Sequence, residues 1–534
     1  MSTPFGSHNE TYRFGSAGWA SDDEIARAGM FKQGGIQIGF RNNQPVYIGG
    51  DAPLICVGGA GSGKLRDLLS YTVCDSPYLR KMILDPRGEL AAISIHTFAI
   101  HGKEAFCFNP LKIHGLPSHD CNPLSILKKD SPSLFADSSF IAESLIPLSG
   151  GNSESYFTLR ARGYMQALLF TIVQKEGGVN FPHLMSVLNA IEGNPILWAS
   201  WLELMLESDF EFLRSAAGEF LKKSQEAPKE FGAIIGEIMA HMAVFNDPLL
   251  METLSGNDFS LDDFDNLFLI IPAEYIGIWS ALLKAMFTVA MIYKSRNPQG
   301  DRLHLIVDEA GQLGRAEFLI RAHTFGRGAG VRILSVFQDI GQIQRNLGKE
   351  ALQTLMGSSQ TRLFFGVRDL ETAEYVSKML GHETLEFDNV LEQQKARSQK
   401  KQIVQGILEG ADPFKTVHEF HHLSMAESNR TKQTRWLMTP SEVLGMPEDR
   451  LVAFVSGLNL KPLYLEKYPY YERPEMAGLY LPNPHHPPID KVRIRTRWGD
   501  KWVMVITEPV PKKYAQYPQY SSGSWSCLKG YKSL

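Results

Sequence analysis

Short apolar runs, each closed by a polar residue, recur along the chain. LICV (54–57), KMILDPRGE (81–89, polar from Asp85), EAFCFNP (104–110, ending at Asn109) and LFLIIP (267–272) come first. LHLIVDEAG (303–311) then ends at Asp308 and Glu309, VRILSVFQD (331–339) at Gln338, and RLFFGVRD (362–369) at Asp369. Runs that are apolar at nearly every position predict strands buried on both faces. Between them apolar residues return at helical spacing, as in LRDLLSYTV (65–73). Buried strands alternating with helices predict an α/β fold built on a doubly wound parallel sheet. The ligand of such a sheet belongs at the carboxyl ends of its strands.

Other stretches carry a different pattern. SYFTLRARGYMQALLFTIV (155–173) and FGAIIGEIMAHMAVF (231–245) have helical periodicity, and the stretch between Asn109 and LFLIIP has almost no strand signal, which predicts an all-helical insertion over 113–263. IGIWSALLKAMFTVAMIY (276–293) is the most membrane-like stretch, with Lys284 at its centre and Glu274 just ahead of it. A spanning helix wants about 20 apolar residues without such a charge, so this one is read as a buried core helix. Segment 385–439 is polar, clusters Lys395, Arg397, Lys400 and Lys401, and is read as a long mobile or surface connection. After Tyr480, LPNPHHPPID (481–490) leads into KVRIRTRWGDKWVMVIT (491–507), whose alternation about Gly499 and Asp500 predicts a hairpin. The tail 481–534 carries nine Lys and Arg against three Asp and Glu. Trp498, Trp502 and Trp525 among its basic residues suit a DNA or membrane-surface contact, the alternative being a solvated edge.

Composition narrows the class. At 534 residues the chain is longer than one ordinary domain, and 44% hydrophobic with 21% charged residues is the balance of a soluble globular protein. A net charge of −4 excludes a uniformly basic surface, so nucleic acid has to be met through a local patch or channel. The five cysteines are scattered and show no CxxC spacing, as expected in a reducing compartment. The opening MSTPFGSHNETYRFG (1–15) lacks a basic start followed by an apolar run, so no signal peptide is expected and the chain is read as cytoplasmic.

The chemistry gathers at GGAGSGKLRD (58–67). Gly58, Gly59, Ala60, Gly61, Ser62 and Gly63 follow an apolar run and precede a helical pattern, the setting of a phosphate-binding loop. Glycines let backbone N–H groups converge on phosphate oxygens, and Lys64 adds a positive charge for the β- and γ-phosphates of ATP. Leu65 stands where the pattern asks for Ser or Thr, whose hydroxyl would bind Mg²⁺ directly. Because Mg²⁺ keeps several waters and phosphate oxygens as ligands, weaker metal coupling is expected, not loss of nucleotide. LIVDE delivers Asp308, to hold Mg²⁺ through water, and Glu309, to orient or deprotonate the attacking water. Gln338 is placed to hydrogen-bond that water or the γ-phosphate. Arg327, in FGRGAG (325–330), is by position a surface arginine or a finger reaching a neighbouring subunit. Two look-alikes are set aside. LSGG (148–151) is far too early for an ABC-transporter signature. HEFHH (418–422), with Glu442 downstream, matches a zinc pattern that five residues meet easily by chance.

With these motifs in order, the chain resembles the conjugative coupling ATPases of type IV secretion systems, the TraG/TraD-like family within the FtsK/HerA group. FGSAGWASDDEIARAGM (14–30), DPRGEL (85–90), CNPLSIL (121–127), the run 306–343, FFGVRDLETAEYVSKMLG (364–381) and the closing stretch 437–471 carry the likeness. The resemblance implies a RecA-like P-loop NTPase, discontinuous over 51–112 and 264–480, with segment 1–50 leading into it. It implies Lys64 in the Walker A role, Asp308 and Glu309 in Walker B, Gln338 as sensor and Arg327 as a finger acting across the interface of a homo-hexamer. It further implies DNA passing through a central channel, and as partners the secretion machinery and a relaxase–DNA complex or effector proteins. Members usually begin with transmembrane helices, whereas this chain starts almost directly at the cytosolic part. A separate membrane anchor protein and a peripheral place at the inner membrane are therefore expected. Two alternatives remain open: a nucleotide-binding docking adaptor with little hydrolysis, and a soluble FtsK/HerA-like DNA translocase.

Overall fold

The computed structural model describes residues 15–147, 156–388, 390–408, 430–496 and 498–528. LSGG (148–151) and HEFHH (418–422) lie outside the described residues. Sixteen strands are present among those described. They are β1 (Ile36–Arg41), β2 (Gln44–Ile48), β3 (Leu54–Gly58), β4 (Arg80–Leu84), β5 (Ala105–Phe108), β6 (Asn266–Leu269), β7 (Leu303–Val307), β8 (Val331–Phe337) and β9 (Thr361–Phe365). The remainder are β10 (His382–Asp388), β11 (Arg430–Trp436), β12 (Arg450–Val455), β13 (Leu463–Glu466), β14 (Lys491–Thr496), β15 (Gly499–Pro509) and β16 (Ser524–Leu528).

An 11-stranded sheet runs β2-β1-β13-β12-β9-β3-β8-β7-β4-β6-β5. From β5 to β9 every neighbouring pair is parallel, and from β9 to β2 every pair is antiparallel. The fold is therefore α/β, with the parallel core that the continuous apolar runs predict. Side chains alternate across it with the period of two that strands impose. Ile55, Val57, Leu84 and Val307 enter one core, while Leu54, Cys56, Ile83 and Ile306 enter the other.

Helices cover both faces. On the second face lie α1 (Asp22–Arg27), α2 (Ser70–Cys74) and α3 (Glu89–Ile100), through Ile25, Tyr71 and Ile93 among others. On the first lie α4 (Leu134–Leu145), α5 (Tyr156–Glu176), α6 (Phe181–Gly193), α7 (Pro195–Leu206), α8 (Glu211–Glu226), α9 (Pro228–Met242) and α10 (Pro248–Thr253). These seven enter the chain between β5 and β6. The helix Ser280–Arg296 packs beneath them, and Lys284 within it is buried. Among the described residues no helix is long and apolar enough to cross a membrane.

Four places differ from the reading of the sequence. Segment 385–439, expected as a connection, holds β10 paired with β11 and a helix over Val390–Leu408. Its polar sequence hid a ribbon that lies outside the main sheet and need not be apolar on both faces. Segment 1–50 contributes β1 and β2 to the edge of the main sheet itself. Asp369 is not a strand tip: Gly366, at φ +50°, turns the chain after Phe365, and Asp369 caps the next helix by accepting from Thr372 N at 2.8 Å. Beyond Tyr480 the expected hairpin is part of a three-stranded unit, β14-β15-β16, in which Val492, Val503, Tyr520 and Trp525 are buried while Trp498 is exposed.

Candidate functional site

The register of the parallel strands decides which residues meet. Val57 of β3 faces Phe337 of β8, Ser335 of β8 faces Val307 of β7, and Val307 faces Leu84 of β4. The residues that follow, Gly58, Gln338, Asp308 and Asp85, therefore emerge on one edge of the sheet. Asp85, Asp308 and Gln338 border a cleft of about 850 Å³, lined also by Ala60 to Arg66, Glu309 and Gln312.

The loop after β3 is shaped for close approach. Gly61 and Gly63 have φ of +71° and +86°, and a Cβ on Gly63 would lie 2.2 Å from Asp67 Oδ2. Asp67 is buried and receives both Arg66 Nε, at 2.6 Å, and Arg66 Nη2, at 2.9 Å. Lys64 folds back onto the loop, donating to Gly58 O and, at 3.2 Å, to Gly59 O. The buried Ser62 Oγ has no hydrogen-bond partner among the described residues. A loop with an ammonium resting on its own carbonyls and an orphaned hydroxyl fits an anionic guest. After Lys64 the chain makes a π-helical turn over Leu65–Leu69 before α2 begins. Leu65 is half-buried against the second core, and Ser70 Oγ donates to its carbonyl at 2.8 Å.

The acids stand on β7 and β4. Asp308 Oδ1 accepts from Glu309 N at 3.0 Å, and burial together with the Glu309 charge pushes the Asp308 carboxyl up to about 7. Burial likewise pushes Asp85 up to about 7, with Asp308 adding to the shift. Asp85 Oδ2 accepts from Ala91 N at 2.9 Å, while Oδ1 has no hydrogen-bond partner among the described residues. Two buried carboxyls held toward neutrality, one with a bare oxygen, fit a site completed by a cation. Among the described residues no three His, Cys, Asp or Glu side chains form a metal cage of their own. Mg²⁺ is held by one or two carboxylates with phosphate oxygens and water, and Asp308 and Asp85 supply such carboxylates.

Glu309 sits at φ +52°, a left-handed conformation that is uncommon for a side chain of this size. Its Oε2 accepts from Gln338 Nε2 at 3.0 Å and from Gln312 Nε2 at 3.3 Å. Gln338 is fixed in turn by Gln342, whose Oε1 accepts the Gln338 backbone N–H at 3.0 Å. Gln342 reaches that point because residue 311 is glycine: a Cβ there would stand 2.3 Å from Gln342 Cδ.

Arg327 lies elsewhere. It precedes β8, at the opposite end of that strand from Gln338, and its exposed side chain pairs with Asp51 at 3.4 Å. Asp51 also pairs with Arg302. Several cleft neighbours escaped the reading of the sequence. Arg368 passes over the loop, its Cδ 3.0 Å from the position of a Gly59 Cβ. RLFFGVRD ends beside the loop only because β9 is the other parallel neighbour of β3, a pairing that no local pattern announces. Gln312 lies four residues after Asp308 and is brought round by the 3₁₀ turn Ala310–Leu313. Lys467 Nζ donates to Ser62 O at 2.7 Å from beyond β13, a long-range contact that no local pattern announces.

Parallel core, glycine loop and acid-tipped strand together make this a RecA-like P-loop NTPase fold. The chain belongs to the family described as "Type IV secretory system Conjugative DNA transfer", which matches residues 18–407 and 414–487. It is 22% identical to the conjugal transfer protein TraG of Agrobacterium fabrum, over 93% of this chain and 76% of that protein. It is also 22% identical to the type IV secretion system-coupling protein VirD4 of Bartonella henselae, over 87% of this chain and 74% of that one. Among solved structures, the plasmid coupling protein TrwB in complex with the ATP analogue ADPNP superposes with a TM-score of 0.59 at 18% identity. That superposition covers 85% of this chain and 96% of TrwB. TrwB in complex with ADP and Mg²⁺ gives a TM-score of 0.58 at 17% identity, over 85% and 93%.

Proposed function

We propose that this chain is the ATP-hydrolysing coupling protein of a type IV secretion or conjugation system, driving relaxase-bound DNA or protein substrates toward the secretion channel. The observation that carries the reading is the convergence of Lys64, Asp308, Glu309 and Gln338 on one cleft. In this reading the loop N–H groups receive the phosphates, and Lys64 leaves Gly58 O and Gly59 O to meet them. Glu309 accepts a proton from the water that attacks the γ-phosphate, and the amides of Gln338 and Gln312 hold its carboxylate in line. Asp308 and Asp85 are the residues that would hold Mg²⁺, which when bound neutralises charge on the phosphate oxygens.

The family resemblance gives Arg327 a role at a neighbour's site in a homo-hexamer, with DNA running through the central channel, and its exposed place away from its own cleft agrees with that. Family membership supports the partners: the secretion machinery at the inner membrane and a relaxase–DNA complex or effector proteins. Hydrolysis distinguishes this reading from a docking adaptor, and the carboxylate held between two amides favours the motor. Steady-state ATP hydrolysis by the full chain, with and without DNA and with Glu309→Gln as control, is the experiment that tests it.

A further inference from the structure

Residues beyond 487 lie outside the matched family region, yet they line the cleft that holds Lys64 and Glu309. Lys491, Arg493 and Trp502 border it together with Gly61, Lys64 and Gln338. Their segment is firmly fastened. Leu481 N donates to Ile93 O at 2.9 Å, and Asn483 Nδ2 donates to the buried Glu89 carboxylate. Gln519 Oε1 accepts from Ala105 N at 3.3 Å, and the Trp525 ring meets His96 edge-on, 4.9 Å between centroids. Ile93, Glu89 and His96 all belong to α3, the helix that opens directly after the cleft-lining Asp85–Arg87 turn. Tyr480 Oη donates to Arg493 O at 2.7 Å and ties β14 to the same base.

Register then sorts the ribbon into two faces. Val492 stands opposite Val503, and both are buried. Lys491 stands opposite Met504 and Arg493 opposite Trp502, so these four share the other face. Lys491 Nζ lies 5.3 Å from the centroid of the Trp502 ring, and Trp502 is 51% exposed. A half-exposed indole with a cation over it, on a ribbon tied to α3, is a stacking platform with a positive rim. The cleft is large enough for a whole nucleotide, not only its phosphates.

We propose that this carboxyl-terminal ribbon is the base-binding wall of the nucleotide cleft: Trp502 stacks on the nucleobase, and Lys491 and Arg493 supply the cationic rim beside it. The proposal rests on the phosphate-loop reading above and adds where the rest of the nucleotide lies. It makes nucleotide affinity depend on a segment that the family match does not include.

The test is isothermal titration of the full chain with Mg-ADP and, separately, with inorganic tripolyphosphate, which has no base. Trp502→Ala is expected to weaken ADP about tenfold while tripolyphosphate stays within about twofold. Trp502→Phe keeps an aromatic face and is expected to retain most of the ADP affinity, whereas Lys64→Ala weakens both ligands. Unchanged ADP binding in Trp502→Ala, with both ligands lost in Lys64→Ala, overturns the ribbon's role and leaves the loop reading standing. Equal weakening of ADP and tripolyphosphate in Trp502→Ala also overturns it, because the ring then acts through the fold. If Lys64→Ala binds both ligands normally, the loop reading fails and takes the proposal with it.

Discussion

The Gln338 side-chain amide donates to Glu309 Oε2 over 3.0 Å, joining the ends of two adjacent parallel strands. This bond and the one from Gln312 aim a carboxylate that its own left-handed backbone already turns out of the strand. A general base works only when its lone pair is aligned with the proton it takes. Gln338→Ala is therefore expected to lower kcat about 100-fold while ADP affinity stays within about threefold. Steady-state hydrolysis and equilibrium ADP titration of the same preparation check this. A matched loss of affinity would assign Gln338 to nucleotide binding instead.

Leu65 presents no hydroxyl to the cleft and packs half-buried against the second core. In Leu65→Thr a hydroxyl replaces one coordinated water. The Mg²⁺ concentration giving half-maximal ATP hydrolysis is expected to fall about two- to fivefold, with little change in nucleotide affinity without metal. Titration of hydrolysis with Mg²⁺ at fixed ATP reads it. An unchanged half-saturation point would place residue 65 outside the metal's reach.

Arg327 is exposed, paired with Asp51 and remote from the cleft of its own chain. If it completes a neighbour's site, Arg327→Ala subunits keep a sound cleft and Glu309→Gln subunits keep a sound arginine. Each alone is expected to be at least about 100-fold impaired, and mixing them is expected to restore a measurable fraction of turnover. Hydrolysis measured across mixing ratios checks this. No rescue at any ratio contradicts a finger acting between subunits.

Asp308 and Asp85 titrate near 7 in the fold, whereas free carboxyls ionise near 4. Between these values the folded chain holds more protons than the unfolded chain, so stability falls as pH rises from about 4 through about 7. The nucleotide-free protein is expected to melt lower at about pH 8 than at about pH 5.5. In Asp308→Asn the pH-dependent loss is expected to shrink by about 1–2 kcal/mol. Thermal melts of both proteins at the two pH values decide it, and identical pH dependence would mean that the pair is not the source.

Much of this was legible because buried parallel strands leave little freedom. A run such as LHLIV admits one placement, and the residues after it must then emerge at the sheet's carboxyl edge, which is why Asp308, Gln338 and the glycine loop could be grouped without coordinates. Residues whose place depends on a distant partner were not legible in that way. Arg368 is near the loop only because β9 pairs with β3, and Lys467 reaches Ser62 across hundreds of residues. The ribbon after Tyr480 announced its alternation, but nothing in it named α3 as the surface it packs on. The strands at 382–388 and 430–436 escaped because a ribbon outside the main sheet has no need of an apolar run.

The most direct measurement of the central claim is the turnover of bound ATP by Glu309→Gln in the full chain, with DNA present. Glu309→Gln is expected to bind ATP as the unaltered chain does and to hydrolyse it at least about 100-fold more slowly. Hydrolysis within about threefold of the unaltered chain would show that Glu309 is not the base and that the cleft at the sheet's edge is not where the reaction occurs.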